Sequence, residues 1–571
     1  MHSRLTAVTP ICLPVRAGTF SLLSSCPLCV LLAIVIANSI NFADPDLWGH
    51  IRFGEAVLQA RSLIIQDPYS YSAAGRTWHN HELGFEILAA SAYDTLGIFG
   101  LKLVKLLFAA ATIRLIALGQ VETGAGLAIQ RWVLMLIALG LAPQFQFRPQ
   151  LVSFVATAAL AAVLARATYR QRGRPPWIAA PIMAVWANFH GGFVVGLGIL
   201  AVYCASELFS SRNGRELAGR TAGSLALLCV CAVATLANPY GADVWHTVVR
   251  ALSNPLTRQV VGEWRPMLPR LVDQWHGGSW ITLFYLFVLL MMGMFLVTVV
   301  LTVPAIDLPL VAVAGLMIAS ALYATRNIAL ALITMAVPLT AHLALLQEQA
   351  LIASLKRRLW RALSRRVAAR ENIARADTFA PDTRLITATS HRGTASESRP
   401  RASGQHSHIF VAACAFVLAT ESGLFSPALA AAPGPFPAGA VEFMRRNSLK
   451  GNLLCYFDWG EYLIWHTAPE SKVFIDGRYD TVYPERVIRD YVRFNFALPG
   501  AERVLVDYPH DFAIIPPTAK AYGLLRRQTG WRLIYQDKSA ALFARSGVAD
   551  KLPEIDAAQV AAEPFGVSVF P

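Results

Sequence analysis

Charge is scarce in this chain. Charged residues make up 15% of its 571 positions, against about 25% in a soluble protein. That shortage excludes an ordinary soluble fold. Cysteine is also sparse, with eight in all. Cys12, Cys26, Cys29, Cys204, Cys229, Cys231 and Cys414 lie in or beside hydrophobic segments, and only Cys455 falls in the part expected to be soluble. No disulfide framework is expected from that distribution. Cys26-Pro27-Leu28-Cys29 has redox spacing but falls inside a hydrophobic run, where it reads as part of a span. No A-x-A cleavage site precedes Asn41, so the first run reads as a span rather than a cleaved signal. The order His79-x-His81-Glu82 is not H-E-x-x-H, which rules out a zinc-protease reading. The apolar runs carry little charge away from their ends. Transporters place ionisable residues at mid-span, so transport is disfavoured.

Apolar length is what the chain has in plenty. Hydrophobic residues reach 55% and mean hydropathy is +0.46. A helix needs about 20 apolar residues to cross a bilayer. Eleven runs qualify as candidate spans: 20–40, 100–118, 127–143, 150–166, 176–190, 192–209, 222–238, 279–301, 305–323, 326–345 and 408–426. Leu83 to Ile98 is apolar too, but Glu82, Glu86 and Asp94 keep it outside the count as a partial or interfacial helix. The prediction is a polytopic α-helical membrane protein.

The formal net charge of +14 might suggest nucleic acid, yet much of the excess lies between Lys356 and Arg401. That position makes it a topology signal and a lipid-surface contact, and no nucleic-acid partner is expected. With eleven spans and a cytoplasmic N-terminus, the basic loops Arg166 to Arg174, Arg212 to Arg220 and Lys356 to Arg401 all fall on the cytoplasmic side. The predicted organisation is a membrane domain over 1–346 with its first outer loop at 41–99. A basic cytoplasmic linker follows at 347–407, then a last span at 408–426. In the linker, Leu355, Leu359, Leu363 and Val367 recur every fourth residue, the pattern of a basic amphipathic helix on the inner leaflet; a disordered stretch is expected after it. Residues 438–546 alternate short apolar runs with helix-like segments, so an extracytoplasmic α/β domain is expected there, with 547–571 as a tail.

The same span count gathers the unusual polar motifs on the outer face. They are Asp44-Pro45-Asp46, Trp78-His79-Asn80-His81-Glu82, Phe147-Arg148-Pro149-Gln150, Asn188-Phe189-His190-Gly191-Gly192, Glu263-Trp264-Arg265 and Arg326-Asn327. Asp44 and Asp46 have two readings. Asp caps helices and Asp-Pro-Asp is good turn chemistry. A carboxylate at a membrane face is also where a lipid-linked substrate presents its phosphate. Acidic, imidazole and guanidinium groups collected on one face point to a site at the membrane surface.

Those motifs carry a family resemblance, together with Asp67-Pro68-Tyr69-Ser70, Asn238-Pro239-Tyr240-Gly241, Asp458-Trp459-Gly460-Glu461-Tyr462-Leu463 and Phe474-Ile475-Asp476-Gly477-Arg478. The chain resembles bacterial multispanning membrane proteins related to the C-type (GT-C) glycosyltransferase superfamily. The resemblance implies a bacterial inner-membrane enzyme acting on the outer face in cell-envelope chemistry. It implies a polyprenyl-phosphate sugar as donor and an acidic residue in the first outer loop, a position held here by Asp46 or Asp44. Hexosyl or pentosyl transfer to an unidentified acceptor is the expected reaction. A non-catalytic partner in surface-polysaccharide assembly or transport is the alternative.

Such a reaction needs a base for the acceptor hydroxyl, for which Asp46 and Asp44 are the candidates. It needs positive charge for the departing phosphate, for which Arg148 and Arg326 are the candidates, with Asn327 as a neighbouring donor; snorkelling to the headgroups is their structural alternative. His50, His81, Glu82, His190, Asp476 and Arg478 are candidates for substrate contact. For Asp476 and Arg478 the alternative is a structural turn closed by their own ion pair. A divalent cation is a candidate cofactor, with Asp46, His81, Glu82 and His190 as its ligand set.

Overall fold

The computed structural model describes residues 27–171, 173–209, 214–256, 261–275, 280–376, 426, 429–431, 436–550 and 569–570. Apolar length decides most of its helices. Among the described residues six are long and apolar enough to cross a bilayer: Leu83–Glu122, Leu127–Gln144, Gln150–Tyr169, Glu216–Ala234, Trp280–Leu301 and Thr325–Ser354. Shorter apolar helices occupy Leu28–Ala37, Ala179–Phe189, Phe193–Leu208 and Leu308–Tyr323. The chain is a multi-pass membrane protein. Its helices fall where the first ten spans are expected, but the shorter ones do not reach bilayer length. The eleventh, 408–426, lies outside the described residues.

Thr325–Ser354 is the central helix, with Leu332, Ile333, Met335, Ala336 and Leu339 fully buried. Trp280–Leu301 has two faces. Tyr285, Val288, Met292 and Phe295 pack inward, while Leu283, Leu290, Leu296 and Val300 are exposed. An apolar outer face of that kind is what lipid covers. The partial helix expected over Leu83 to Ile98 joins the next span as one element, Leu83–Glu122, broken at Gly97 (φ 59°, ψ −143°). Only glycine takes that backbone without strain. At the other end of the membrane domain, one helix runs from Ile328 to Ala376 and carries the last described span into the basic linker. The stretch expected to be disordered, up to about His406, lies outside the described residues.

The C-terminal region builds a five-stranded sheet from β3 (Asn452–Cys455), β4 (Lys472–Val473), β5 (Phe512–Ile515), β6 (Trp531–Gln536) and β7 (Ala541–Arg545). Its order is β4-β3-β5-β7-β6. The pairs β3–β4 and β3–β5 are parallel, and β7 runs antiparallel between β5 and β6. These strands lie on the expected apolar runs. Helices Glu485–Asn495 and Lys520–Arg526 fall between them as predicted.

The segment between the first two apolar helices fuses the two regions. Tyr71 N–H donates to Val473 O at 3.2 Å and Val473 N–H to Tyr69 O at 3.1 Å, so the loop extends the sheet at its β4 edge. A second, small sheet joins β1 (Phe42–Ala43), β2 (Leu429–Ala431) and β8 (Val569–Phe570), so two residues of the tail return to the start of the outer loop. Trp48 sits at this joint. Its ring packs on Phe436 (4.7 Å), Phe570 (5.2 Å) and Tyr462 (5.3 Å).

Candidate functional site

The turn at Asp44-Pro45-Asp46 divides the work between its two acids. Asp44 Oδ1 accepts the backbone N–H of Asp46 at 3.1 Å, so Asp44 does the turn's job. Asp44 is buried, and its other oxygen pairs with Arg148 Nη2. Arg148 Nη1 meets Glu263 Oε1 at 2.5 Å. The guanidinium is thus clasped by two carboxylates. Burial would lower the Arg148 pKa, but Asp44 and Glu263 outweigh it and hold the charge firmly on. Glu263 sits below its ordinary range for the matching reason: burial would raise it and Arg148 overrides.

Asp46 holds the cap position of helix Leu47–Ala60 but makes no capping bond. It is half-buried. Burial, reinforced by Asp44, pushes its carboxyl up to about 7, against the pull of Arg148 and His50. Asp458, from the C-terminal domain, is pushed up to about 6 by burial and by Asp44.

Glu461 joins this group, also from the C-terminal domain, at the start of helix Gly460–Thr467. It is 3% exposed, and its Oε2 has no hydrogen-bond partner. Two glycines make room for it. A Cβ at Gly49 would lie 2.0 Å from Glu461 Oε2, and a Cβ at Gly477 would lie 2.6 Å from Asp46 Oδ1 and 2.7 Å from Glu461 Oε1. Burial, then Asp46 and Asp476, push the Glu461 carboxyl well above the usual range.

Beside the acids stands a second cluster built around Glu82. His50 Nδ1 lies 3.9 Å from Glu82 Oε2 and 3.6 Å from Glu86 Oε1. His81 Nε2 and His190 Nε2 each lie 3.7 Å from Glu82 Oε1. Burial would raise the Glu82 pKa, but His81, His50 and His190 together hold it below its ordinary value. His50 is raised; burial opposes this, and the close approach of Glu86 with the charge of Glu82 prevails. The motif Asn80-His81-Glu82 has a structural logic. Asn80 Nδ2 donates to Glu86 Oε2 at 2.5 Å, while Asn80 Oδ1 accepts the Glu82 N–H at 3.0 Å.

The expected cation set changes accordingly. The donor atoms of His50, Glu82 and Glu86 all lie within 4.8 Å of one another. His50 Nδ1 is buried and has no hydrogen-bond partner, which suits a ligand waiting for an ion. One imidazole and two carboxylates fit a divalent cation such as Mn²⁺. His190 does not fit. Its Nδ1 accepts the Gly192 N–H at 3.1 Å and the Ser153 hydroxyl at 2.6 Å, and Ser153 in turn accepts Trp186 Nε1–H at 2.8 Å. Nδ1 is therefore the bare nitrogen and Nε2 keeps the proton, aimed at Glu82. Asp46 and His81 stand outside this triad, His81 facing Glu82 alone. The sequence pointed to Glu82; Glu86 was missed, although the spacing of four places both on one face of a helix.

The remaining candidates separate. Arg326 lies over the Trp264 ring at 4.4 Å and makes no ion pair within 4.0 Å among the described residues. The loop bearing Trp264 is held there by Thr325 Oγ1–H to Glu263 O at 3.1 Å and by Thr325 N–H to Arg265 O at 3.2 Å. Asn327, expected as a further donor, gives its amide to Ser320 Oγ at 2.7 Å instead. Asp476 and Arg478 belong to a clamp. Arg478 donates to Asp476 through Nε (2.9 Å) and Nη2 (2.7 Å), and to Asp67 through Nη1 (2.7 Å). Its guanidinium is enclosed by Trp78 (4.8 Å), Phe53 (4.9 Å) and Tyr69 (5.3 Å). Gly477 of this loop approaches Asp46, but the charges of Asp476 and Arg478 are taken up in fastening the C-terminal domain to the segment that carries Asp67.

An apolar groove of about 440 Å³ starts beside this cluster, lined by Leu83, Ile87, Val185 and Phe189. Leu83 follows Glu82 in sequence and Phe189 precedes His190, so the groove's mouth adjoins the cluster.

No family model and no curated protein sequence matches the chain. Among solved structures it is similar to the archaeal oligosaccharyltransferase AglB from Archaeoglobus fulgidus, in complex with an inhibitory peptide and a dolichol-phosphate. The TM-score is 0.48 at 12% identity, covering 86% of this chain and 69% of that one. The overlap is partial, and the chemistry of the present site stands on its own residues.

Proposed function

We propose that the protein is a GT-C-type glycosyltransferase that moves a sugar from a polyprenyl-phosphate donor to an acceptor at the outer membrane face. The observation that carries this reading is Asp46. It is the one acid of the turn left without a structural bond, its carboxyl is tuned near neutrality, and it is held at the joint between the helical region and the C-terminal domain beside Glu461. Asp46 takes the proton of the acceptor hydroxyl as the new bond to the anomeric carbon forms. The bond from that carbon to the phosphate oxygen breaks, and the phosphate leaves with the electron pair. Arg326 stands ready to receive it, because Arg148 is already held by Asp44 and Glu263. A divalent cation at His50, Glu82 and Glu86 would supply further charge for the leaving phosphate. In this reading the N-terminus is cytoplasmic, the chain crosses eleven times, and residues 438–546 lie outside above the site.

The test is Asp46→Asn, which keeps the size and removes the charge. Purified protein given a radiolabelled polyprenyl-phosphate sugar should lose sugar release by about 10²–10⁴-fold, with an unchanged elution profile. Full release by the variant defeats the assignment.

A further inference from the structure

A second cleft, of about 520 Å³, is lined by polar and charged side chains. Three separate segments wall it. The first outer loop gives Arg76, Thr77 and His79. The amphipathic helix Asp243–Ser253 gives Asp243 and Arg250. The C-terminal domain gives Thr481. The walls are tied together, since Asn254 Nδ2 donates to Asp480 Oδ1 at 2.5 Å. The first wall is fixed from behind, where Asp67 N–H donates to Arg76 O at 2.9 Å and Trp78 N–H to Ile65 O at 2.7 Å.

Charge in the cleft is not balanced. Its one carboxylate, Asp243, faces His79 Nε2 at 3.7 Å. Arg76 and Arg250 make no ion pair within 4.0 Å among the described residues. Two guanidiniums without acids, set among hydroxyls, suit an anionic ligand rich in its own hydroxyls. No aliphatic side chain lines the cleft, which disfavours a lipid tail there.

The cleft also leads to the site. Along residues 77–80, Trp78 and Asn80 turn inward and are buried, while Thr77 and His79 face the cleft, and a turn follows at 81–82. His81, two residues beyond His79, faces Glu82. Two residues of extended chain cover about 7 Å. A glycan seated in the cleft can therefore reach the reacting centre with its terminal residue.

We propose that this cleft binds the acceptor and that the acceptor is an acidic glycan, its carboxylate or phosphate held between Arg76 and Arg250. The inference rests on the transferase reading only for the word acceptor; the binding site stands on the cleft.

The probe is trigalacturonate, with neutral maltotriose as its control. Binding is measured by calorimetry on the full chain in a non-ionic detergent. Trigalacturonate should bind at least about tenfold more tightly than maltotriose, as one charge-assisted contact implies. The double variant Arg76→Ala, Arg250→Ala should lose that preference, and Arg76→Lys, Arg250→Lys should keep most of it. Asp46→Asn should bind like the parent chain, so a failed transferase reading leaves this result intact. Equal affinity for both sugars, or a preference that survives the double alanine variant, overturns the proposal. So does loss of trigalacturonate binding when the protein sits in nanodiscs rich in phosphatidylglycerol, since the arginines would then serve lipid headgroups.

Discussion

Glu461 and Asp46 converge on one point above Gly477, the first carried by the C-terminal domain and the second by the first outer loop. The site is therefore made by both regions, and one of the acids beside the proposed base comes from the C-terminal domain. A methyl group at Gly477 would enter the space of both carboxylates, at 2.6 and 2.7 Å. Gly477→Ala is expected to lower transfer by tenfold or more while costing about 1–3 kcal/mol of stability, the usual range for overpacking. Parallel measurement of sugar release and of Tm checks this; a variant with parental activity refutes the convergence.

Asp46 also sets an expected pH dependence. The base acts as carboxylate, and burial next to Asp44 raises its pKa from 3.8 to about 7. Transfer should climb with pH and reach half its plateau near 7. The same shift has a sign for stability. A raised carboxyl pKa means that the folded chain holds the proton more tightly than the unfolded chain. The cost of ionising Asp46 is thus absent below about pH 4, grows between 4 and 7, and is complete above. Asp46→Asn removes it. The variant should melt higher than the parent at pH 8 and equal to it near pH 4. The opposite order at pH 8 would show Asp46 to be a stabilising charge.

For the proposed cation, the geometry distinguishes candidate ligands from bystanders. His50→Ala and Glu86→Gln should each weaken Mn²⁺ binding by tenfold or more, read by electron paramagnetic resonance as free ion released. His190→Gln should leave Mn²⁺ affinity nearly unchanged, because the proton on Nε2 already bars that nitrogen. Loss of binding in His190→Gln alone would reverse the tautomer assignment.

These relationships show what a sequence carries and what it hides. Spans were legible because apolar length is local. The break before residue 100 was legible because Glu82, Glu86 and Asp94 dilute the run, and the structure realises it at Gly97. The strands of the C-terminal sheet were legible for the same local reason. Pairings were not. Arg478 meets Asp67 across 411 positions, and nothing near either residue announces the other. Arg148 looked free for phosphate because its two acids lie elsewhere in the chain. Glu461 lay in a quoted motif, yet its burial against Gly49 and Gly477 exists only once the domains are joined.

The clamp itself is testable. Arg478 is almost fully buried and donates through both edges of its fork. Arg478→Lys keeps the charge but cannot serve Asp67 and Asp476 together. A loss of about 1–3 kcal/mol is expected for each buried acceptor left unsatisfied. Proteolysis should then release residues 438–546 from the outer loop sooner than in the parent chain. Equal melting and equal cleavage rates would mean that the β4 edge and the Trp48 joint fasten the domain without this clamp.

The two arginines once considered equal for the donor phosphate now predict different outcomes. Arg148 bridges Asp44 and Glu263, so its replacement loosens the turn that presents Asp46. Arg326 rests on Trp264 with no acid within pairing distance among the described residues, so its replacement leaves the scaffold alone. Lys keeps a charge in either place and loses the planar fork that gives phosphate two parallel hydrogen bonds. Arg326→Lys should therefore raise KM for the polyprenyl-phosphate donor about tenfold with little change in Tm. Arg148→Lys should lower Tm and kcat together, since the turn and the pKa of Asp46 both depend on that guanidinium. Donor titrations and melting curves on both variants decide the matter. A KM effect confined to Arg148→Lys would return the phosphate to that residue, and its pairing with Asp44 would then have to open when donor binds.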